Sequence, residues 1–588
     1  METGSAQQFR DSFPATLERE RRFGSWLPVK GIEQGDLSRC SALVIETSQT
    51  MRSIIFSQLR ELGVGTVVHA PRPVDARKIL ESRRFDFVLC DMDCYEQSYS
   101  GRDLLDDLRR NHILPLTTVF VLISSGATLS AVSEVAESAL DVLLIKPHKA
   151  SHLAERLFAA RARKVELGDI FKAIEASAFE QAAQLCMRRY YAKGRYWLYS
   201  ARIGAELLLR TGNSMLALEL YKEVVQARTM PWARLGIARA QFDNGQSFEA
   251  VGTLERLLSD EPLYVDAYDV MGRALFDLGR FHESLEAFQI AVQITPHSIG
   301  RIQNLAMMTY YAGHKEEAVR LLEETRRVGV DSRLFDLQVL VLLAFLHLEQ
   351  GNQIELQRCR DDAQRILQRS PELQRSQRLS ECVFSINHIG QNQTAQSLAS
   401  IRRLAENIRS SDFDFESASN LITLICQLVK RGVTINKVDE FVKTIGMRFC
   451  CNRIHTDLLL TSSKGHPPFV KILQACHDKV LEYAEIAMSL ILSGNPAGAV
   501  KELVLHGKET LNARLIDNAH QVLQKHADKI GVYDEFARDI RVLRESYRMG
   551  KSKARVSNGT DSDKGASIFA FTSNSMSKSH DVNAREGA

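Results

Sequence analysis

The sequence predicts two architectures in one chain: a five-stranded, doubly wound parallel α/β domain, then an all-α solenoid of paired helices. Three observations predict it. Between Cys40 and Arg163, short β-branched apolar runs alternate with amphipathic stretches. After Val165 the strand signal stops and helical periodicity takes over. Glycines at Gly212, Gly245, Gly279 and Gly313 then recur at steps of 33, 34 and 34 residues.

The elements follow in order. Residues 1–38 are polar, with a charge run at Glu18–Arg22, and read as a loose arm. The α/β domain is placed at 39–163. Its apolar runs are Ala42–Ile45, Thr66–His69, Phe85–Cys90, Val119–Ile123 and Val142–Ile145. Nearly continuous apolar runs are expected for strands of a parallel sheet covered on both faces. Thr50–Leu62, Val74–Ser82 and Asp103–Arg110 are the amphipathic helices between them. Residues 549–588 are rich in Ser, Gly, Lys and Asn and poor in aliphatics, as expected of a disordered tail.

The solenoid is placed at 165–330, with degenerate hairpins at 331–548 such as Leu340–Gly351 and Phe415–Gly432. Five residues after each spaced glycine stands a small residue: Ala217, Ala250, Ser284 and Ala318. Seven residues before stands another: Ala205, Ala238, Gly272 and Ala306. Small residues let two helices approach closely, and glycine supplies the turn between them. The stretch from Tyr268 through Gly279, Ser284, Phe288 and Ala291 to Pro296 resembles the tetratricopeptide repeat, whose helix–turn–helix unit spans about 34 residues. That resemblance implies a concave face for an extended peptide or partner helix. Arg234, Gln241, Arg273, Arg301 and Asn304 lie on the first helices of their pairs and are candidates for that face.

Composition excludes several classes. The chain has 588 residues, a net charge of +3, 45% hydrophobic and 25% charged residues. That is globular composition, with no basic excess to announce a nucleic-acid partner. No apolar run reaches the ~18 residues of a membrane span, and the N-terminus has no apolar leader. The ten cysteines show no CxxC spacing and read as reduced thiols, so the chain is expected in the cytoplasm. Cys450, Cys451, His455, Cys476 and His477 fit no zinc spacing and read as buried residues of helices.

Chemistry concentrates at the strand ends. Glu46 ends the first strand, Asp91 the third and Ser124 the fourth, while Lys146-Pro147 follows the fifth. Carboxyl ends of strands in an open parallel sheet converge on one crevice. Two carboxylates, a hydroxyl and an ammonium are what phosphorylation of an aspartate uses. One acid is the nucleophile and the other a ligand for Mg²⁺; the hydroxyl and ammonium receive phosphoryl oxygens. The segments Ala42–Arg52, Phe87–Asp91, Leu122–Ser125 and Ile145–Pro147 resemble the motifs of response-regulator receiver domains, in the same order. The resemblance implies Asp91 as the phosphorylated residue, Ser124 and Lys146 as the switch hydroxyl and phosphate contact, and a metal site of Glu46, Asp91 and Asp93. Asp93 would contribute its backbone or its side chain. It also implies a Lys146-Pro147 peptide of cis geometry.

Three departures stand out. Thr47 replaces the second of two adjacent acids, which weakens the expected Mg²⁺ site. The loop between Asp91 and Gly101 is longer than usual and lacks proline. Leu143 stands where a switching aromatic is frequent.

The function expected is a two-component response regulator, phosphorylated by a sensor histidine kinase or phosphotransfer protein. Its repeats bind a partner protein and its output is not DNA binding. The alternative is a phosphorylation-independent scaffold with a degenerate receiver, and a homodimer fits either. No repeat carries a catalytic constellation, 330–480 included, so the chain is not expected to be an enzyme.

Overall fold

The computed structural model describes residues 37–91, 101–110, 113–124, 141–296, 298–330, 332, 335–369 and 374–547. The arm up to residue 36, the Asp91–Gly101 loop with Asp93, and the tail 549–588 lie outside the described residues.

The α/β domain runs β1 (Ser41–Ile45), α1 (Gln49–Glu61), β2 (Thr66–Ala70), α2 (Pro73–Ser82), β3 (Phe87–Asp91), α3 (Gly101–Arg110), β4 (Val119–Ser124), β5 (Val142–Ile145) and α4 (Ala150–Glu166). The strands pair in parallel in the order β2-β1-β3-β4-β5. Alternate residues feed opposite cores, as the two-residue period of a strand requires. Ala42, Val44, Leu89 and Val121 pack with Ile55 and Leu59 of α1 and Leu153 and Leu157 of α4. Leu43, Ile45, Val88, Phe120 and Leu122 pack with Leu80 of α2 and Leu104 and Leu108 of α3.

The third apolar run begins at Phe85, but its strand starts only at Phe87. Asp86 still bonds both neighbouring strands, its N–H donating to the Ser41 carbonyl at 3.0 Å and its carbonyl accepting from the Val119 N–H at 2.9 Å, while its carboxylate accepts from the Ser41 N–H at 2.8 Å and the Ser41 hydroxyl at 3.2 Å. The Phe85 carbonyl accepts from Thr118 Oγ1 at 2.7 Å. At the other end the strand takes in Asp91, and β4 takes in Ser124.

Helix α4 passes through the boundary placed at 163, and one residue, Leu167, separates it from α5 (Gly168–Glu175). There follow α6 (Phe179–Tyr191), α7 (Trp197–Arg210), α8 (Ser214–Ala227), α9 (Pro231–Asp243), α10 (Ser247–Asp260), α11 (Val265–Asp277), α12 (Phe281–Ile294), α13 (Ile299–Tyr311) and α14 (Lys315–Gly329). The four spaced glycines each sit between paired helices with φ between 75° and 89°, a left-handed conformation that costs any other L-residue energy. Close approach is visible at Gly236, where an added Cβ would lie 2.2 Å from the Tyr221 ring.

The hairpins continue as α15 (Gln338–Gln350), α16 (Gln353–Arg369), α17 (Gln374–Gly390), α18 (Thr394–Glu406), α19 (Phe415–Val429), α20 (Val438–Phe449), α21 (Arg453–Ser463), α22 (Pro467–Leu492), α23 (Pro496–Thr510), α24 (Ala513–Lys525) and α25 (Tyr533–Tyr547). Their register departs from the repeat for a physical reason. Helix α15 is buried all round from Gln338 to Leu348, and it packs on α17 as well as on its hairpin partner α16. A helix apolar on every side must be covered on every side. Helix α22 runs 26 residues because no turn residue interrupts it.

The chain divides into two compact units. One holds the α/β domain and the helices up to Ala274 with 290–296; the other holds 275–289 and the helices beyond 297.

Candidate functional site: a charged crevice at the strand ends

Local backbone chemistry places each residue. Ser48 caps α1, its hydroxyl accepting from the Met51 N–H, so the chain turns sharply after β1. Glu46 stands at that turn, and its Oε1 accepts from the Ser48 N–H at 2.8 Å. Its other oxygen, Oε2, lies 3.2 Å from Lys146 Nζ. Lys146 Nζ donates to Asp91 Oδ2 at 2.6 Å. The Lys146 backbone N–H donates to the Ser124 carbonyl at 2.8 Å, tying the end of β4 to the residue after β5. The Lys146-Pro147 peptide is cis.

Burial sets the electrostatics. Glu46 is 1% exposed and Asp91 7%. Burial pushes the Glu46 carboxyl up; the Ser48 N–H opposes this, and the Asp91 carboxylate adds to it. Burial alone would pull the Lys146 ammonium down, but its pairing with Asp91 and then Glu46 raises it instead. One ammonium thus faces two carboxylates, and the crevice holds an excess of negative charge in a partly dry setting. Such a pair of oxygen donors suits a hard divalent cation. Glu46 and Asp91 are the ligands the described residues offer. Thr47 is exposed and brings no charge. Leu143 is half-buried against the α2–α3 core.

Of the residues assigned from sequence, Glu46, Asp91 and Lys146 therefore meet directly, and Ser124 ends the neighbouring strand, 3% exposed. The candidates for the concave face fare differently. Arg301 and Asn304 are buried, at 4% and 1%, so they are removed from any exposed face. Arg234 pairs with Asp260 at 2.6 Å, and Gln241 accepts from Thr253 at 2.9 Å. Arg273 lies over the Phe242 ring. Nine cysteines among the described residues are all buried, and burial raises the Cys450 and Cys476 thiols, the latter to about 11.

Sequence reading missed a junction. Asp141, just before β5, accepts from the Phe120 N–H at 3.0 Å and is surrounded by Arg109, Arg163 and Lys164. Lys164, on the last turns of α4, also donates to the Leu116 carbonyl at 2.5 Å, and burial brings its ammonium down to about 8. The Leu116 N–H donates to Glu175 of α5 at 2.7 Å, and the Leu116 side chain joins the core formed by α5–α9. No local pattern marks these contacts, because partners 48 and 59 residues apart share no periodicity.

Also unforeseen is a group of Glu323, His347 and Glu355, whose ligating atoms lie within 4.8 Å of one another. The Arg326 guanidinium stands among them, 2.8 Å from Glu323, 3.3 Å from Glu355 and 3.1 Å from Asp362. It supplies the positive charge that a cation would bring.

A 2-1-3-4-5 parallel sheet with acids, a hydroxyl and a lysine at its strand ends is a doubly wound α/β domain with a charged crevice, here followed by repeat helices. Comparison with known proteins makes this specific. The chain belongs to the response-regulator receiver family: residues 42–158 match the response regulator receiver domain. Residues 235–299 and 299–329 match tetratricopeptide repeats. The chemotaxis protein CheY-3 of Vibrio cholerae is 30% identical over 115 residues, 20% of this chain and 86% of that protein. The chemotaxis protein CheY of Pseudomonas aeruginosa is 29% identical over 115 residues, 20% of this chain and 90% of that protein. A thermophilic tetratricopeptide-repeat protein of Thermus thermophilus is 17% identical, covering 31% of this chain and 97% of its own, with a TM-score of 0.26. No described helix is long and apolar enough to cross a membrane.

Proposed function

We propose that this response regulator takes a phosphoryl group on Asp91 and that the phosphorylated state alters how its repeats engage a partner protein. The observation that carries the reading is the Asp91 carboxylate at the end of β3, held 2.6 Å from Lys146 with Glu46 beside it. The donor is a sensor histidine kinase or a phosphotransfer protein. An Asp91 oxygen attacks phosphorus, the phosphorus–nitrogen bond of a phosphohistidine breaks, and an acyl phosphate forms. Lys146 then has phosphoryl oxygens to pair with in place of the carboxylate, and Ser124 on the adjacent strand end supplies a hydroxyl. Bound Mg²⁺, held by Glu46 and Asp91, would screen the charge of the entering group.

A phosphoryl group adds roughly −1.5 to −2 charge, enough to bias a two-state element. The route outward is short. Lys146 is bonded to the Ser124 carbonyl, while Phe120 of the same strand is bonded to Asp141. Asp141 in turn grips Lys164 at the end of α4, where the repeats begin. The output is binding of a protein, without turnover and without nucleic acid, and two copies can associate in the same scheme.

The exposed, uncharged Thr47 favours a second reading, a scaffold whose receiver no longer takes phosphate. Calorimetric titration of the full chain with beryllium fluoride and Mg²⁺ separates the two. Saturable binding that Asp91→Asn abolishes supports the phospho-switch. No binding at millimolar Mg²⁺ assigns the receiver to a structural role.

A further inference from the structure

A second cavity lies outside the Asp91 crevice, between α1 and the edge strand β2. Its volume is about 480 Å³, and Arg52, Ser53, Phe56, Ser57, Arg60 and His69 line it. That size suits a small-molecule site, for which roughly 300–1,000 Å³ is usual. Five of the six residues follow the i, i+1, i+4, i+5, i+8 spacing of one helix face. The two arginines therefore stand about 12 Å apart along the axis, with Phe56 midway.

The lining has, among the described residues, two guanidiniums, an imidazole and two hydroxyls, and no carboxylate. Among the described residues neither Arg52 nor Arg60 has an ion-pair partner. Arg52 Nη1 approaches His69 Nε2 at 3.4 Å, but that same nitrogen lies 3.0 Å from the Glu46 carbonyl. One ring nitrogen cannot donate to the carbonyl and accept from the guanidinium together. The carbonyl contact is the shorter, so the Arg52 N–H groups are left in want of an acceptor. Guanidinium forks match phosphate oxygens in pairs, and an aromatic side chain between them offers a surface to a flat ring.

We infer that this cavity is a binding site for a nucleoside phosphate. Arg52 and Ser53 take phosphate oxygens, Ser57 takes a sugar oxygen, the base lies on Phe56, and Arg60 at the far end donates to acceptor atoms on the edge of the base. The site is independent of Asp91 phosphorylation, so the two readings fail separately.

The test is calorimetric titration of the full chain with ADP in EDTA, which removes the divalent cation that the Asp91 crevice would use. Saturable binding is expected, with inorganic phosphate and adenosine each at least tenfold weaker. Arg60→Ala and Arg52→Ala should each weaken ADP at least tenfold. Arg60 is exposed, so its replacement leaves the fold intact. Phe56→Ala should weaken ADP while leaving inorganic phosphate unchanged, and Asp91→Asn should leave both unchanged. The proposal is overturned by absence of ADP binding at millimolar concentration, by binding that survives the double arginine replacement, or by inorganic phosphate binding as tightly as ADP. A glutamate-rich peptide that binds where ADP does not would overturn it as well, assigning the face to a protein.

Discussion

Among the described residues, Lys146 and Arg375, like Arg326, each meet more carboxylates than one cation can neutralise. In the receiver, Lys146 meets Asp91 and Glu46. In the later hairpins, Arg375 meets Asp336 at 2.9 Å, Asp414 at 2.8 Å, and Glu416. What differs is how each acid is otherwise engaged. Asp414 caps α19 by accepting from the Ser417 N–H, and Asp336 accepts from the Gln338 N–H. The Arg375 group thus stitches three helical segments together. Glu46 is likewise bonded to backbone, at Ser48, but Asp91 closes a strand at the edge of a crevice and is held by a flexible ammonium. The excess charge is also handled differently. Burial drives Glu416 up to about 8, so it is mainly protonated at neutral pH and the cage comes closer to balance. Charge imbalance alone therefore does not mark a functional site. The receiver crevice adds a carboxylate at a strand end, held by the Lys146 ammonium.

That contrast can be broken or sharpened by experiment. The largest effect on folding is expected for Arg375→Ala, which takes the shared cation from three buried carboxyl groups. A loss of about 3–5 kcal/mol in urea unfolding is expected. Lys146→Ala should cost the fold less, about 1–3 kcal/mol, because it strands two carboxylates rather than three and Glu46 keeps the Ser48 N–H. Beryllium fluoride affinity should nevertheless fall at least tenfold, about 1.4 kcal/mol, in the titration described above. If Lys146→Ala unfolds the receiver, the crevice is structural and the contrast fails. Thr47→Asp should restore an acid and tighten Mg²⁺ binding about tenfold, again about 1.4 kcal/mol, readable by titrating Mg²⁺ at fixed beryllium fluoride. The smallest effect belongs to Glu416→Gln, expected within about 1 kcal/mol of the wild type at pH 5. Its signature is the pH profile. A carboxyl raised from 4.5 to about 8 binds its proton more tightly in the folded state. Its contribution is thus fully present below about pH 4.5 and is lost as pH rises towards 8. The glutamine variant should lack that decline.

Much of the fold was legible in the sequence, for reasons that are local. Ala42–Ile45 and Val142–Ile145 are read as strands because short, continuous apolar runs of this kind suit a sheet covered on both faces. Gly212, Gly245, Gly279 and Gly313 are read as turns, and each takes the left-handed backbone that glycine permits. Glu46, Asp91 and Lys146 are read as one group because strand ends of a parallel sheet converge. The reading failed where side-chain direction mattered. Arg301 and Asn304 sit on the expected helix but are buried, because helix position does not fix which face a neighbour covers. Near the boundary placed at 163, α4 runs on to Glu166 and Lys164 turns inward to Asp141, a contact that no local spacing announces.

The sequence by itself determined the order of strands and helices, the turn positions and the chemical groups at the strand ends, since each follows from spacings of a few residues. Tertiary structure decided which groups share charge. Lys146 reaches Asp91 and Glu46 across 55 and 100 residues, and Arg375 draws its acids from positions about 40 residues away on either side. It also decided where two arginines of α1 have no acid partner among the described residues. Burial, and with it the dielectric that makes a charge costly, exists only once distant segments have packed.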